Sequence, residues 1–497
     1  MAAVLAALSG GLSNEANGTN GNGVKKRRHS GQHKFPPISE DSSSNDSPSR
    51  KTSAVLRKEY AKTGPLGRTV HYQQDSLFSS SSGWTNYTGF FNLAILLLVV
   101  SNGRVALENL IKYGILISPL YWFEFLTADL SLTNWPNLFM FLFSNVSIIT
   151  VLFMEKLLEQ GHFCNRFAAI FYTLLIGAHV TLPAVVTLYI KGNPLYSAFC
   201  LGLIVIEALK LVSFVHVNYW CRSARLQVKK ESSDFTPPES LHLYPSNLTL
   251  GNIYYFMAAP TLCYELSFPR LERRRKTFLI KRACELTFLS FLIVALVQQW
   301  VVPLVQNSLG PFSQMDISKC TERVLKLAIP NILIWLLFFY TMFHSALNLV
   351  AEILRFADRE FYLDFWNSES IQYFWKTWNI PVHRWALRHI YLPMVRNNYN
   401  KWLAALTVFF FSAVFHEYLV SVPLSMFRLW AYYGMMGQIP LLFLTDYVFK
   451  GGRAGNIIVW LSLILGQPMA ILMYVHDYYY ENYPKDPVLA GDPLSPA

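Results

Sequence analysis

The sequence predicts an all-α polytopic membrane protein with about nine transmembrane helices and two long cytosolic loops. Three observations lead to this class. The chain of 497 residues is 53% hydrophobic and only 15% charged, whereas an average soluble domain carries about 25% charged residues. Nine apolar runs are long enough to cross a bilayer, and the basic residues are concentrated between alternate runs. A soluble enzyme of this length is excluded, because this composition cannot supply charged surfaces for its domains.

Residues 1–83 are predicted to form a disordered, basic, cytosolic N-terminal segment. They contain the run Lys25–Arg28 and are otherwise rich in Ser, Asn, Gly and Pro. Such a composition buries too little apolar surface to offset the entropy lost on ordering. The basic run could bind anionic lipid or nucleic acid, but a solvated tail is the favoured interpretation, and no nucleic-acid partner is predicted.

Residues 84–480 are predicted to form one membrane-embedded domain, followed by a short lumenal tail at 481–497. A helix needs roughly 20 apolar residues to cross a bilayer core of about 30 Å. The nine runs that meet this requirement lie near residues 88–110, 136–154, 167–190, 195–217, 286–305, 327–351, 402–424, 432–449 and 456–475.

The distribution of basic residues predicts the orientation of these spans. With the N-terminus in the cytosol and nine spans, 33 of the 42 Lys and Arg residues fall on the cytosolic side. Positive charge is enriched on that side of membrane proteins. We therefore expect a cytosolic N-terminus, a lumenal C-terminus, and long cytosolic loops at about 221–285 and 352–401.

His416 is the main candidate for chemistry inside a span. It lies near the middle of the predicted span 402–424, and ionisable groups at such positions are rare and commonly functional. Ser412 is one turn away on the same face, whereas Glu417 points roughly 100° around the helix. Because an imidazole can accept the proton of a hydroxyl, we expect His416 to be a buried general base. A structural histidine packed between helices is the alternative.

A second candidate is the aromatic segment 361–367 in the second cytosolic loop, with the sequence FYLDFWN. Aromatic residues favour the membrane interface, so an interfacial anchor and a ligand-binding segment both remain open. Pro381 ends any helix that precedes it, which places Asn379 near a helix end where its amide could turn inward. The neutral amides Gln438 and Gln467 also lie in apolar runs, where such residues often hydrogen-bond neighbouring helices.

Several catalytic motifs are absent from the sequence. It contains no HExxH, no GxxxxGK[ST] and no GxSxG motif, which disfavours metal-dependent hydrolysis, nucleotide hydrolysis and lipase-type catalysis. No metal site is predicted.

The aromatic segment and the mid-span His416 together resemble the membrane-bound O-acyltransferase family. Within that family the chain is similar to the sterol/diacylglycerol acyltransferase branch, whose motif is FYxDWWN, although Phe365 stands where the motif has its first Trp. The resemblance extends over about residues 84–480. The resemblance is strongest in four stretches, which are Pro260–Glu265, Asn379–His383, His416–Trp430 and Gly466–Tyr478.

The resemblance implies an endoplasmic-reticulum enzyme with the nine-span fold of that family. Such an enzyme would transfer a long-chain acyl group from acyl-CoA to the free hydroxyl of diacylglycerol, with triacylglycerol and CoA as products. It would act as a homodimer or homotetramer held partly by the N-terminal segment, in membrane lipid, without a metal or prosthetic cofactor.

The resemblance also implies roles for the candidate residues. His416 would be the base, Asn379 and Gln467 would donate to the developing oxyanion, and Glu417 and Ser412 would orient the site. Gln438 would help to place the acceptor. The cytosolic mouth for CoA would be shaped by Phe361, Tyr362, Asp364, Trp366, Asn367 and His383.

Three other functions remain open at this point. The first is the same chemistry on a sterol, a fatty alcohol or retinol. The second is a lipid transporter or receptor without catalysis, and the third is a membrane scaffold that recruits partners through residues 1–83.

Overall fold

The computed structural model describes residues 88–120, 122, 136–229, 239–313 and 316–482. Within these ranges the regular structure is helical, and the one β-type pairing is an isolated bridge between Arg270 and Phe356. The described residues fall into two units, one that ends at Lys112 and one that begins at Tyr113. The expectations for the segment 1–83, for its part in oligomerisation and for nearly all of the tail 481–497 lie outside the described residues.

Helix α1, Thr88–Tyr113, contains the first predicted span. Its side chains from Leu96 to Val100 are 57–69% exposed within the chain. An apolar helix of 26 residues is long enough to cross a bilayer core, and its exposed leucines and valines are suited to contact with lipid.

The second unit contains thirteen described helices, separated by turns and loops. In chain order they are α2 (Pro136–Glu159), α3 (Asn165–Ile190), α4 (Pro194–Lys229), α5 (Leu250–Ala258), α6 (Lys276–Pro311), α7 (Ile317–Ile353), α8 (Ile371–Thr377), α9 (Ile380–Ala386), α10 (Leu392–Arg396), α11 (Lys401–Leu424), α12 (Trp430–Met436), α13 (Gln438–Phe443) and α14 (Gly452–Asn482).

Seven of the predicted spans are confirmed as helices that are long and apolar enough to cross a membrane. They are α2, α3, α4, α6, α7, α11 and α14. The protein is therefore an all-α, multi-pass membrane protein, as the sequence predicts.

The run predicted as the span 432–449 is not one continuous helix. It consists of α12, α13 and a wider π-helical turn at Leu444–Val448. Gly437 separates the first two pieces, and a Cβ atom there would approach the carbonyl oxygen of Tyr433 to 3.1 Å. Glycine has no Cβ atom, so it fits this close approach at the break. The total of nine spans stays a prediction.

The first predicted loop, 221–285, is shorter than expected because helices extend into it from both sides. Helix α4 continues to Lys229 and α6 begins at Lys276. Charge pairing stabilises the extension of α4, since Arg222 donates to the buried carboxylate of Glu155 at 2.7 Å. The second predicted loop, 352–401, is not irregular throughout, because it contains α8, α9 and α10.

The long helices pack in two groups. Helix α4 packs against α2, α3 and α11, while α7 packs against α6 and α14. Inside this arrangement the buried ammonium of Lys210 donates to three carbonyl oxygens at the end of α5, at 2.7–3.0 Å. A cation at a helix C-terminus satisfies carbonyls that have no partner within the helix. Lys210 thereby fixes the chain where it enters the stretch Pro260–Glu265.

Candidate active site

His416 lies on α11 with its imidazole exposed within the described chain. The expectation that it is buried was therefore wrong. A mid-span position makes a side chain deep relative to the bilayer, but burial also requires a packed neighbour on that helix face. Ser412, one turn away on the same face, is only partly buried. His416 is thus accessible to a molecule that occupies the space beside α11.

The ring of His416 is oriented by its own helix. Its Nδ1 lies 2.7 Å from the carbonyl oxygen of Ser412. A carbonyl can only accept, so this hydrogen bond requires the ring proton on Nδ1 and leaves Nε2 with a lone pair in the neutral imidazole. The Ser412 hydroxyl lies farther away, at 3.5 Å from Nδ1. The backbone of Ser412 therefore contributes the closer of the two contacts.

Glu417 is buried and points away from the exposed face of α11. Its carboxylate accepts from the Ser421 hydroxyl, from the backbone N–H groups of Leu429 (2.9 Å) and Tyr432 (3.0 Å), and from the Tyr474 hydroxyl (2.8 Å). A carboxylate with four donors is well satisfied without a further partner. These bonds tie α11 to the start of α12 and to α14, which is the geometry of a positioning residue.

The two amide candidates occupy different parts of the helix assembly. Gln467 on α14 accepts a hydrogen bond from Asn331 on α7 through its Oε1, at 3.1 Å. Gln438 begins α13, and its amide nitrogen lies 3.5 Å from the carbonyl oxygen of Gly434. The bond to Asn331 joins two spans, and it leaves the amide N–H groups of Gln467 available as donors.

The aromatic segment is anchored by residues that pack inward. Phe361 is 2% exposed, and the hydroxyl of Tyr362 lies 2.8 Å from Nδ1 of His344 on α7. Phe365 is also buried, with its ring centroid 4.6 Å from that of Phe339. The first and fifth positions of the motif therefore contribute to the core, so that these aromatic side chains hold the segment against α7.

Three later motif positions, Asp364, Trp366 and Asn367, face outward. The Asp364 carboxylate accepts from the Tyr373 hydroxyl at 2.7 Å and from the Asn367 amide at 3.3 Å, and Trp366 is 48% exposed. The hydrogen bond from Tyr373, followed by that from Asn367, lowers the pKa of Asp364 below its ordinary value. This exposed group of an anion, an amide and an indole is accessible to a ligand.

Asn379 lies beside the aromatic segment and caps α9. The backbone N–H of Ile380 donates to the Phe361 carbonyl at 3.0 Å, which pairs the two stretches. The Asn379 Oδ1 accepts from the N–H of Val382 at 3.2 Å, as an N-cap residue does. Its amide NH₂ remains a donor. The expected position at a helix end is confirmed.

His383 lies on the first turn of the same helix. Burial lowers the pKa of its imidazole to about 4, and the nearby cations Lys376 and Arg384 act in the same direction. His383 is therefore neutral at physiological pH, and its ring can line the site as a polar but uncharged surface.

An aromatic contact connects this region to the helix that carries His416. The ring of Trp375, one turn before Asn379, packs edge-to-face on Phe409 with centroids 6.5 Å apart. Phe409, Ser412 and His416 recur at the spacing that places side chains on one face of a helix. The structure therefore places Trp375 of α8 against the face of α11 that carries His416, roughly two turns from the imidazole. No hydrogen bond joins Asn379 or Gln467 to His416 among the described residues.

Sequence reasoning missed a buried polar cluster that connects α4 with the second loop. The Ser213 hydroxyl lies 2.8 Å from Nε2 of His389 and accepts from the backbone N–H of Tyr264 at 2.8 Å. Burial lowers the pKa of His389 to about 3, with further lowering from His216 and Arg388. The three residues are far apart in sequence, so no local spacing could have indicated the cluster.

No group of three or more His, Cys, Asp or Glu side chains that could hold a metal ion occurs among the residues described. The candidate site therefore consists of an accessible imidazole, amide donors and an aromatic segment. This set of groups can move a proton and polarise a carbonyl.

Comparison with known proteins supports an acyl-transfer chemistry. The model of the membrane-bound O-acyltransferase family matches residues 207–476. The chain is 50% identical over 417 residues to diacylglycerol O-acyltransferase 1 of Homo sapiens, which covers 83% of this chain and 85% of the human protein. It is 49% identical to the Bos taurus protein of that name, over 83% of this chain and 85% of the relative.

A more distant relative matches over a similar length. Diacylglycerol O-acyltransferase 1A of Glycine max is 38% identical over 430 residues, which cover 85% of this chain and 84% of the relative. The family match includes the aromatic segment, His416 and Gln467. The chain belongs to the membrane-bound O-acyltransferase family and is an acyltransferase.

Proposed function

We propose that this protein transfers a long-chain acyl group from acyl-CoA to the free hydroxyl of diacylglycerol, with triacylglycerol and CoA as products. The observation that carries the proposal is the 50% identity over 83% of the chain to a relative named for that acceptor. The accessible Nε2 of His416 supports the same chemistry, because an acyl transfer to a hydroxyl needs a group that accepts a proton.

In the proposed mechanism both substrates bind before the chemical step. Nε2 of His416 accepts the proton of the diacylglycerol hydroxyl as its oxygen attacks the thioester carbonyl. The resulting tetrahedral intermediate collapses, the C–S bond breaks, and the CoA thiolate takes the proton back from Nε2. No acyl-enzyme forms, since the Ser412 hydroxyl lies beside Nδ1, which carries the ring proton and cannot act as its base.

The developing oxyanion requires hydrogen-bond donors. We assign this role first to the amide of Asn379 and second to that of Gln467. Oδ1 of Asn379 and Oε1 of Gln467 already accept bonds from the protein, so their NH₂ groups are the donors. Loss of one such donor commonly removes about 2.7–4 kcal/mol of transition-state stabilisation. Because the imidazole is exposed, bound diacylglycerol would itself exclude water from His416.

Acyl-CoA would arrive from the cytosol. Its polar end would dock at the mouth shaped by the aromatic segment, with nearby Arg and Lys side chains meeting its phosphates, while its acyl chain enters beside α11. The remaining parts of the proposal are a cytosolic N-terminus, a lumenal C-terminus and residence in the endoplasmic reticulum. Residues 1–83 would hold a homodimer or homotetramer together.

The test is an acceptor panel with purified protein and labelled oleoyl-CoA. Diacylglycerol, a sterol, a fatty alcohol and retinol are supplied in parallel, and labelled esters are separated. We expect triacylglycerol as the main product. Preference for another acceptor would replace diacylglycerol in the proposal, and labelled acyl-CoA or lipid that is bound or moved without ester formation would overturn it.

The base is tested with His416→Ala and His416→Gln in the same assay. Both variants should fold and lose ester synthesis, since glutamine retains polarity but cannot accept the proton as imidazole does. His162→Ala is the matched control, because His162 is exposed and its side chain makes no hydrogen bond among the described residues. Activity of His416→Ala equal to that of the control would overturn the assignment.

A further inference from the structure

A basic cleft opens where α6 begins and α7 ends. Its volume is about 650 Å³, within the range of small-molecule sites. Its polar lining consists of Arg273, Arg274, Lys276 and Arg355 with one acid, Glu272. The lining therefore has an excess of three positive charges. It lies outside the candidate active site described above.

The backbone beneath the basic cleft is fixed by an internal anchor. Arg275 turns away from the cleft and donates to Glu352 at 2.9 Å, and Arg359 binds the same buried carboxylate. The loops also pair through the bridge between Arg270 and Phe356. The cleft is thus a built feature of two joined loops rather than a chance position of long side chains.

Two of the four cations of the basic cleft have neither an ion pair nor a hydrogen bond among the described residues. Arg274 donates to the Ile353 carbonyl at 2.8 Å and Arg355 to the Glu272 carbonyl at 3.3 Å, so that both are oriented by backbone oxygens. Arg273 and Lys276 are exposed and make no ion pair or hydrogen bond among the described side chains. The cleft therefore presents positive charge that no carboxylate of the described chain neutralises through an ion pair.

The rest of the lining indicates which kind of anion suits the cleft. Leu279 and Ile280 complete the wall, and Ile280 is 61% exposed. They lie in the first two turns of α6, at the N-terminal end of a helix that is long and apolar enough to cross a membrane. Basic pockets between transmembrane helices on the cytoplasmic side bind lipid phosphates. We propose that the basic cleft binds the phosphate of an anionic phospholipid whose acyl chain follows Ile280.

A soluble anion would use only half of this surface. The phosphates of CoA could pair with Arg273 and Lys276, but an apolar wall at the membrane boundary contributes nothing to their binding. A phospholipid uses both parts, because its phosphate and its acyl chain are joined at the depth where the basic and apolar residues meet. The inference concerns a regulatory or structural lipid and does not depend on the acceptor of the acyl group.

The experiment uses the full chain in nanodiscs of phosphatidylcholine with and without phosphatidic acid. Lipid that stays bound after transfer to detergent is measured by native mass spectrometry at several salt concentrations. The variant R273Q/K276Q removes the two unpaired charges. K281Q is the matched control, because Lys281 is exposed on the same helix but does not line the cleft.

We expect the wild-type protein and K281Q to retain phosphatidic acid in preference to phosphatidylcholine, and to lose it at high salt. Retention by R273Q/K276Q should be weaker by roughly tenfold or more, since each basic residue near an anionic surface contributes appreciably to binding. Equal retention by this variant and K281Q would overturn the proposal. So would a raised KM for acyl-CoA with lipid retention unchanged, which would assign the cleft to CoA.

A melting curve of each variant shows whether it is folded. If R273Q/K276Q does not fold, the single variant R273Q provides the same comparison, because Arg273 makes no contact that stabilises the described loops. Failure of lipid binding in R273Q with normal ester synthesis would support the proposal, and unchanged lipid binding would overturn it. Neither result bears on the proposed acyl transfer.

Discussion

The hydroxyl of Tyr474 on α14 donates to the Glu417 carboxylate on α11 at 2.8 Å, across 57 residues of sequence. Together with its bonds to the start of α12, this contact makes Glu417 the point at which three helices meet beside His416. Glu417 thus influences the site through the positions of helices rather than through contact with the imidazole.

Glu417→Gln and Tyr474→Phe should act mainly on stability. Gln replaces one acceptor oxygen by a donor that faces other donors, and Phe removes one hydrogen bond. We expect losses of about 1–3 kcal/mol for the first and about 1 kcal/mol for the second. Thermal unfolding and initial rates are measured on the same preparations. A Glu417→Gln protein with wild-type melting and no activity would instead make Glu417 a catalytic residue.

Ser412→Ala should leave most of the activity in place. The carbonyl of Ser412, which alanine retains, is the closer partner of the imidazole, whereas the hydroxyl lies 3.5 Å away. We expect kcat/KM to fall by less than about fivefold. A fall of several hundredfold, with normal melting, would assign the hydroxyl to the substrate or to proton transfer.

Lys210→Met should destabilise the protein strongly. Methionine fills a similar volume, but it leaves three buried carbonyl oxygens at the end of α5 without a donor. Hydrogen bonds to charged groups contribute about 1.5–3 kcal/mol each, so we expect a large drop in melting temperature. An unchanged melting temperature would mean that water replaces the ammonium. Lys281→Met, on an exposed position, is the control for the loss of a lysine.

The lowered pKa of His383 predicts that the stability of the protein depends on pH. Its folded pKa is about 4, below the ordinary value of 6.5, so the unfolded chain binds the proton more readily. The stability contributed by the neutral ring is complete above pH 6.5 and is lost as the pH falls toward 4. The melting temperature of His383→Gln should fall less over this interval than that of the wild type. Part of the fall should remain, because His389 behaves in the same way.

Phe365→Trp should not be neutral, although it restores the family motif. Phe365 is 3% exposed and packs against Phe339 and Trp335, so the larger indole must displace neighbours. Overpacking of this kind costs about 1–3 kcal/mol. Melting of Phe365→Trp is compared with that of Phe365→Leu, which removes volume instead. A more stable Trp variant would show that the aromatic cluster has room for it.

The fold class and seven of the spans could be predicted because long apolar runs are a local property of the sequence. The helix ends could not, since the extension of α4 past its span depends on pairing between Arg222 and Glu155, which lie 67 residues apart. The break at Gly437 depends on its close approach to the carbonyl oxygen of Tyr433, which a hydropathy profile does not reveal.

The candidate site was predictable in its residue types but not in their environments. The position of His416 on its helix was correct, whereas its burial was not, because one sequence does not reveal which helix face is packed. Asn379 was expected at a helix end, and the effect of Pro381 on any preceding helix was sufficient to predict it. The partners of Glu417 are distant in sequence, so its role in holding α12 and α14 appears only in three dimensions.

The hydrogen bond from Nδ1 of His416 to the Ser412 carbonyl has a mechanical consequence. Both groups belong to one turn of α11, so Nε2 keeps its orientation relative to α11 when that helix moves as a rigid body. A displacement of neighbouring helices would leave this hydrogen bond intact. The tautomer of His416 is therefore set by one helix and does not depend on how that helix packs against the others.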